Sequence, residues 1–183
     1  MSLRDLLEAG VHFGHQTRLW NPKMRPYIYG SKDGIHIIDL QKTAMSLVAA
    51  NRFVTSSVSG GETVLFVGTK RAARDLVFEE ANRCGMFFVN NRWLGGTLTN
   101  FQTVKKSIER LLALEQMRDE GRFELLTKKE ALDLGRKIEK MDRALGGIKH
   151  MKGLPGLMFV VDPRREHIAV CEAVKLGIPI VAL

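Results

Sequence analysis

The chain has 183 residues, 45% of them hydrophobic, with 28 Lys and Arg against 20 Asp and Glu for a formal charge of +8. That length supports one sizeable core with room for a smaller appendage, and the composition excludes a disordered chain. The positive excess favours an anionic partner, nucleic acid ahead of a membrane surface.

No apolar run approaches the ~18 residues of a membrane span. The opening "MSLRDLLEAG" is too short and too acidic for a signal or transit peptide, so a cytoplasmic protein is expected. Cys84 and Cys171 lie far apart, outside any CxxC pair, so neither a zinc ribbon nor a redox motif is expected.

In chain order, "VHFGH" comes first and places His12 and His15 three residues apart, a spacing that could ligate a metal on a helical turn. No further His, Cys or acid cluster completes a site nearby, so a structural pair is preferred. "PYIYGSKDGIHIIDL" predicts two short strands around a Ser-Lys-Asp-Gly turn. Ala44, Leu47, Val48 and Val54 keep helical spacing from Gln41 to about Ser57, where "SGG" stops the helix.

"TVLFVG" is a short continuous apolar run, as expected of a strand buried on both faces. "RAARDLVFEEANRCG" follows as a helix closed by glycine, and "MFFV" as the next strand. "LMFVVD", "EHIAVCEAVKLG" and "IPIVAL" repeat the strand–helix–strand rhythm near the end. The alternation predicts an α/β fold, a parallel sheet flanked by helices of the doubly wound type.

Residues 99–149 interrupt that rhythm and divide the α/β domain into 1–98 and 150–183. Thr99 with Gln102 and Thr127 with Glu130 are two capping boxes, each marking a helix start. Leu134, Ile138, Met141, Leu145 and Ile148 step by four, three, four and three, the narrow seam of a coiled coil. Asp133 with Lys137 and Glu139 with Arg143 form favourable i,i+4 pairs. An inserted antiparallel coiled-coil hairpin is expected, adding little to the α/β core; a plain packed pair of helices is the alternative.

The cations cluster. From Ala9 to Lys32, Arg18, Lys23, Arg25 and Lys32 occur with no acid and beside Trp20, Tyr27 and Tyr29. From Asn90 to Ser107, Asn91, Arg92, Trp93, Lys105 and Lys106 occur, again with no acid. Guanidinium, amide and indole groups beside glycines suit RNA, where Arg grips phosphate and an aromatic ring stacks on a base. Trp93 has an alternative place over the edge of the core.

"LFVGTKRAARDL" runs a strand into Gly68, Thr69, Lys70 and Arg71 ahead of a helix, an arrangement that offers free N–H groups to an anion. Neither GxxxxGK[ST] nor GxGxxG is present, so nucleotide hydrolysis is disfavoured; phosphate contact by Lys70, Arg71 and Arg74 needs no such spacing. Asp162 sits where α/β enzymes often keep a carboxylate, but Pro163, Arg164 and Arg165 follow it, so an acid beside basic groups is the better reading. No catalytic residue, cofactor, metal site or small-molecule substrate is assigned.

The stretches "AGVHFGHQTRLWNPKMRPYIYG", "LFVGTKRAA", "FFVNNRWLGGTLTNF", "LTKKEAL", "LGGIKHMKGLPG" and "EHIAVCEAVKLGIPIVAL" are similar, in this order, to those of the bacterial ribosomal protein S2 family. The resemblance implies a parallel α/β domain with a protruding coiled-coil hairpin. It also implies a structural role in the small ribosomal subunit: binding ribosomal RNA where head and body meet, and helping seat the large mRNA-binding protein S-one. The family pattern continues past "IPIVAL" with an acidic loop, a strand and a closing helix. Contacts made through that tail, including any acidic partner for His12 or His15, are outside this sequence.

Overall fold

Ser2 opens the described chain, residues 2–183 of a computed structural model, by capping α1 (Leu3–Glu8). Its hydroxyl accepts from the Asp5 amide at 3.2 Å and the Asp5 carboxylate accepts from the Ser2 amide at 2.7 Å, a reciprocal capping box. The chain divides into two compact units, one up to Ser56 and one from Ser57 to Leu183.

In the first unit, β1 (Phe13–Gln16), β2 (Ile28–Lys32) and β3 (Ile35–Ile38) form an antiparallel sheet in the order β1-β3-β2. The expected hairpin is β2 with β3. Its turn places Asp33 at φ 52 and Gly34 at φ 75, the paired left-handed conformation that Asp-Gly adopts at low cost. The third strand was not expected, and it corrects the reading of "VHFGH" as a possible helical turn. His15 lies within β1 and His12 just before it, where residues three apart do not share a face. α2 (Leu40–Ser59) begins where the Asp39 carboxylate accepts from the Gln41 amide at 3.0 Å, and ends at Gly60 and Gly61.

The second unit holds a parallel sheet of β4 (Val64–Val67), β5 (Phe87–Val89), β6 (Leu157–Val160) and β7 (Ile180–Ala182), in the order β5-β4-β6-β7. Val64, Leu65 and Val67 of β4 and Leu157, Met158 and Val160 of β6 are all buried, which explains why these strands read as continuous apolar runs. The connecting helices are α3 (Arg74–Arg83) and α6 (His167–Leu176), the latter closed by Gly177 in the left-handed conformation.

Between β5 and β6 come α4 (Phe101–Asp119) and α5 (Lys128–Leu145). The Thr127–Glu130 box forms as expected at the start of α5. The Thr99–Gln102 box does not: α4 starts after Asn100, without a side-chain cap, because the Thr99 amide and hydroxyl are taken by Glu172. Asp133 pairs with Arg136 at 3.8 Å rather than with Lys137, whereas Glu139 meets Arg143 at 4.0 Å.

Ile108 and Leu111 of α4 and Ile138 and Leu145 of α5 join Leu65, Val67, Met158 and Val160 in one buried cluster. The expectation that these helices add little to the core is therefore corrected. Their apolar stripes end on the sheet because the chain must carry them over its face to pass from β5 to β6. Lys149 fastens the pair, its ammonium lying 2.6 Å from both Glu115 and Asp142. Burial alone would lower the Lys149 pKa, but the two carboxylates outweigh it and hold it above the ordinary 10.5. Beside it, the backbone of Gly147 approaches β5 so closely that a Cβ there would collide with the Phe88 carbonyl and ring.

Two outcomes follow from this packing. Lys149→Ala leaves the part-buried Glu115 carboxylate beside the exposed Asp142, and should lower the unfolding free energy by about 1 kcal/mol in urea titrations, solvent at Asp142 screening part of the loss. Gly147→Ala, which has backbone to displace, should cost about 3 kcal/mol or more, with loss of amide-exchange protection along β5.

Candidate functional site

Four parallel strands send all their carboxyl ends to one edge of the sheet. β4 connects toward β5, and β6 toward β7, so the chain diverges to opposite sides between β4 and β6. In open α/β sheets this divergence opens a crevice where ligands bind. The loops arriving at this edge are residues 68–73 after β4, 90–100 after β5 and 161–166 after β6.

Thr69 and Glu166, both buried, close the crevice from within. Oε1 of Glu166 accepts from the Thr69 amide at 2.8 Å and from its hydroxyl at 2.6 Å, and that hydroxyl accepts from Arg165 Nε at 3.2 Å. Lys70 spans the same gap to Asp162 at 3.1 Å. Asp162 holds φ 65, a left-handed conformation that Asp tolerates, and its Oδ1 accepts from the Arg165 amide at 3.3 Å. A phosphate seated on the first turn after β4 would compete with an internal carboxylate for the Thr69 N–H. The nucleotide-binding reading of "GTK" finds its donor already occupied.

The loop after β5 is built around Glu172, which projects from α6 and is 7% exposed. One oxygen accepts from Trp93 Nε1 at 3.0 Å and the Gly96 amide at 2.7 Å. The other accepts from the Leu98 amide at 2.9 Å and from the Thr99 amide and hydroxyl at 3.0 and 3.1 Å. Burial pushes the Glu172 pKa up; the five donors outweigh burial and hold it below the ordinary 4.5.

This clamp corrects the reading of Trp93 as a stacking platform. The indole is 8% exposed and belongs to the core cluster, so its ring is not presented to a base. The absence of an acid from "NNRWLGGTLTNF" concealed the reason, because the carboxylate arrives from more than 70 positions away.

Arg71, Asn91 and Arg92 stand exposed on the edge. Among the described residues neither arginine has an ion-pair or hydrogen-bond partner, and Arg92, Asn91 and Arg165 line a shallow cleft of about 340 Å³. Arg74 is half-buried, its Nε donating to the Thr69 carbonyl at 3.0 Å, so it braces the loop as well as carrying charge. Lys105 and Lys106 are exposed on the second turn of α4. Arg18, Trp20, Lys23 and Arg25 belong to the first unit and are exposed there; Arg18 donates to Gln16 at 3.0 Å, and the Trp20 ring lies 5.1 Å from that of His36. Sequence reasoning missed Glu166 and Glu172. Glu172 has one faint signal, an acid on the otherwise apolar face of "HIAVCEAVKL".

Glu172→Gln turns an acceptor-only group toward five donors with an NH₂, leaving buried N–H groups unpaired. A loss of about 2–4 kcal/mol is expected in chemical denaturation at neutral pH. Because the folded-state pKa is depressed, the wild-type advantage is complete above pH 4.5 and disappears as pH falls through the folded value. The stability gap between wild type and Glu172→Gln should therefore narrow below about pH 4.5.

An α/β sheet with basic loops on its carboxyl edge agrees with what the chain resembles. The family model described as Ribosomal protein S2 matches residues 6–183. A curated relative, the Small ribosomal subunit protein uS2 of Geotalea uraniireducens (strain Rf4), is 59% identical over 183 residues. That alignment covers 100% of this chain and 72% of the relative. Matches of this length, carried through the two loops that Glu166 and Glu172 hold in place, show that the chain belongs to the ribosomal protein S2 family.

Proposed function

We propose that the chain is a non-catalytic structural constituent of the cytoplasmic small ribosomal subunit, acting in translation by binding small-subunit ribosomal RNA where head and body meet. The observation that carries this reading is the exposed, acid-free pair Arg71 and Arg92 at the carboxyl edge of the sheet. The nearby acids are engaged internally, Asp162 with Lys70 and Glu166 with Thr69. Guanidinium groups left in this way meet phosphate oxygens through charge-assisted, often bidentate hydrogen bonds.

Lys70, Arg74 and Asn91 extend that contact on the edge, and Lys105 and Lys106 carry it onto α4. Arg18, Trp20, Lys23 and Arg25 form a second contact on the first unit. Residues 99–149 act as a coiled-coil hairpin inserted between 1–98 and 150–183; the seam of α5 and the Lys149 clasp support this. Seating of protein S-one rests on the family resemblance alone. No membrane contact or small-molecule substrate belongs to the reading, and no helix among the described residues is long and apolar enough to cross a membrane.

Arg92→Ala tests it. Binding to ribosomal RNA should weaken, and the slope of log affinity against log salt should shrink by about 0.7–0.9, one phosphate contact. The melting temperature should stay within about 1 °C of wild type, as for a surface residue without partners. A large fall in melting temperature, or a salt slope near zero in the wild type, contradicts the reading.

A further inference from the structure

A second cleft, of about 590 Å³, opens on the flank of the carboxyl edge, between α3 and the turn that follows α5. This falls within the size range of small-ligand sites, about 300–1,000 Å³. Its walls include Phe78 and Phe88, the amides of Asn82 and Asn91, and the side chains of Arg143 and His150. Asn91 also lines the cleft that holds Arg92 and Arg165, so the two hollows adjoin.

We infer that this cleft is a pocket for one unstacked nucleobase of an RNA strand whose phosphates lie on the Arg92 edge. The inference rests on the RNA-binding reading above and adds where, and by what chemistry, a base is held. Phe78 is the platform. It is 50% exposed, although it forms an edge-to-face pair with Phe88 at a centroid distance of 5.3 Å and 86°. That pairing orients the ring while leaving half of it open to a partner.

The polar groups suit a base better than a phosphate. Asn82 is exposed and its amide has no side-chain hydrogen bond among the described residues, so it offers both a donor and an acceptor to a base edge. Asp75 and Asp142 lie on the same walls. One oxygen of Asp142 is held by Lys149, so Asp75 supplies the charge that offsets Arg143 and disfavours a phosphate in the cleft, and a carboxylate accepts readily from the exocyclic amino groups of adenine, guanine or cytosine. Phosphate is thus directed to the edge that carries the unpartnered Arg71 and Arg92, and the base to the mixed cleft. Sequence-specific recognition of RNA works on unstacked bases in this manner, by aromatic stacking and hydrogen bonds to the base edge.

The test compares two end-labelled strands by fluorescence anisotropy on the full chain: a single-stranded oligoribonucleotide and an abasic strand of equal length. Wild type should bind the base-bearing strand about tenfold more tightly, the scale of one aromatic–base stack. Phe78→Ala should erase that preference while leaving abasic affinity and the salt slope unchanged, and Phe78→Tyr should keep it. Since Phe78 is half exposed, circular dichroism should show the Ala variant folded. Should Phe78→Ala keep the preference, or weaken both strands equally, the base pocket is overturned while phosphate binding stands. If wild type binds neither strand, the RNA reading falls first and takes the pocket with it.

Discussion

Burying an ionised carboxylate costs several kcal/mol unless its oxygens are fully occupied, and Glu172 meets that condition with donors drawn from one short loop. Trp93, Gly96, Leu98 and Thr99 all turn inward to the same two oxygens. The loop between β5 and α4 is therefore wound about a charge supplied by α6. Three further features depend on that arrangement: the burial of Trp93, the starting point of α4, and the exposure of Arg92 beside an inward-facing neighbour. Without the carboxylate, five donors would have to find water or other acceptors in a largely closed interior.

The same device recurs at lower intensity across the crevice. Glu166 takes the free N–H at the first turn after β4, and Asp162 pairs with the half-exposed Lys70. Internal acids in this way occupy the positions that an α/β enzyme keeps open for a phosphate or a substrate. Exposed beside them are Arg71 and Arg92, which have no ion-pair partner among the described residues. The carboxylates at this edge therefore act as acceptors that hold the loops in place, Glu166 at Thr69 and Asp162 at Lys70.

Much of the fold was legible because its signals are local. The buried strands appear as continuous apolar runs, the hairpin as Asp-Gly between alternating residues, and α5 as a capping box followed by a four-three seam. The misreadings share a cause. Thr99 with Gln102 has the letters of a capping box, yet the hydroxyl that would cap α4 finds a stronger, charged acceptor in Glu172. Histidines at i and i+3 suggested a turn of helix, whereas antiparallel pairing with β3 made the segment a strand. In each case a distant partner outweighed a preference worth about 1 kcal/mol or less.

The sequence by itself determined the class of fold, the order of its elements, and the positive, acid-free character of two stretches, Ala9 to Lys32 and Asn90 to Ser107. These are set by periodicity and composition, which survive in a one-dimensional reading. Only the tertiary structure decided which of those residues are surface and which are scaffold. Arg92 and Trp93 are neighbours in the chain and equally plausible as RNA contacts on paper. One is exposed and the other buried because a carboxylate 79 positions away, on α6, accepts the indole N–H. Hydrogen-bond satisfaction in a buried site is settled by groups that meet in space, and no local pattern announces them.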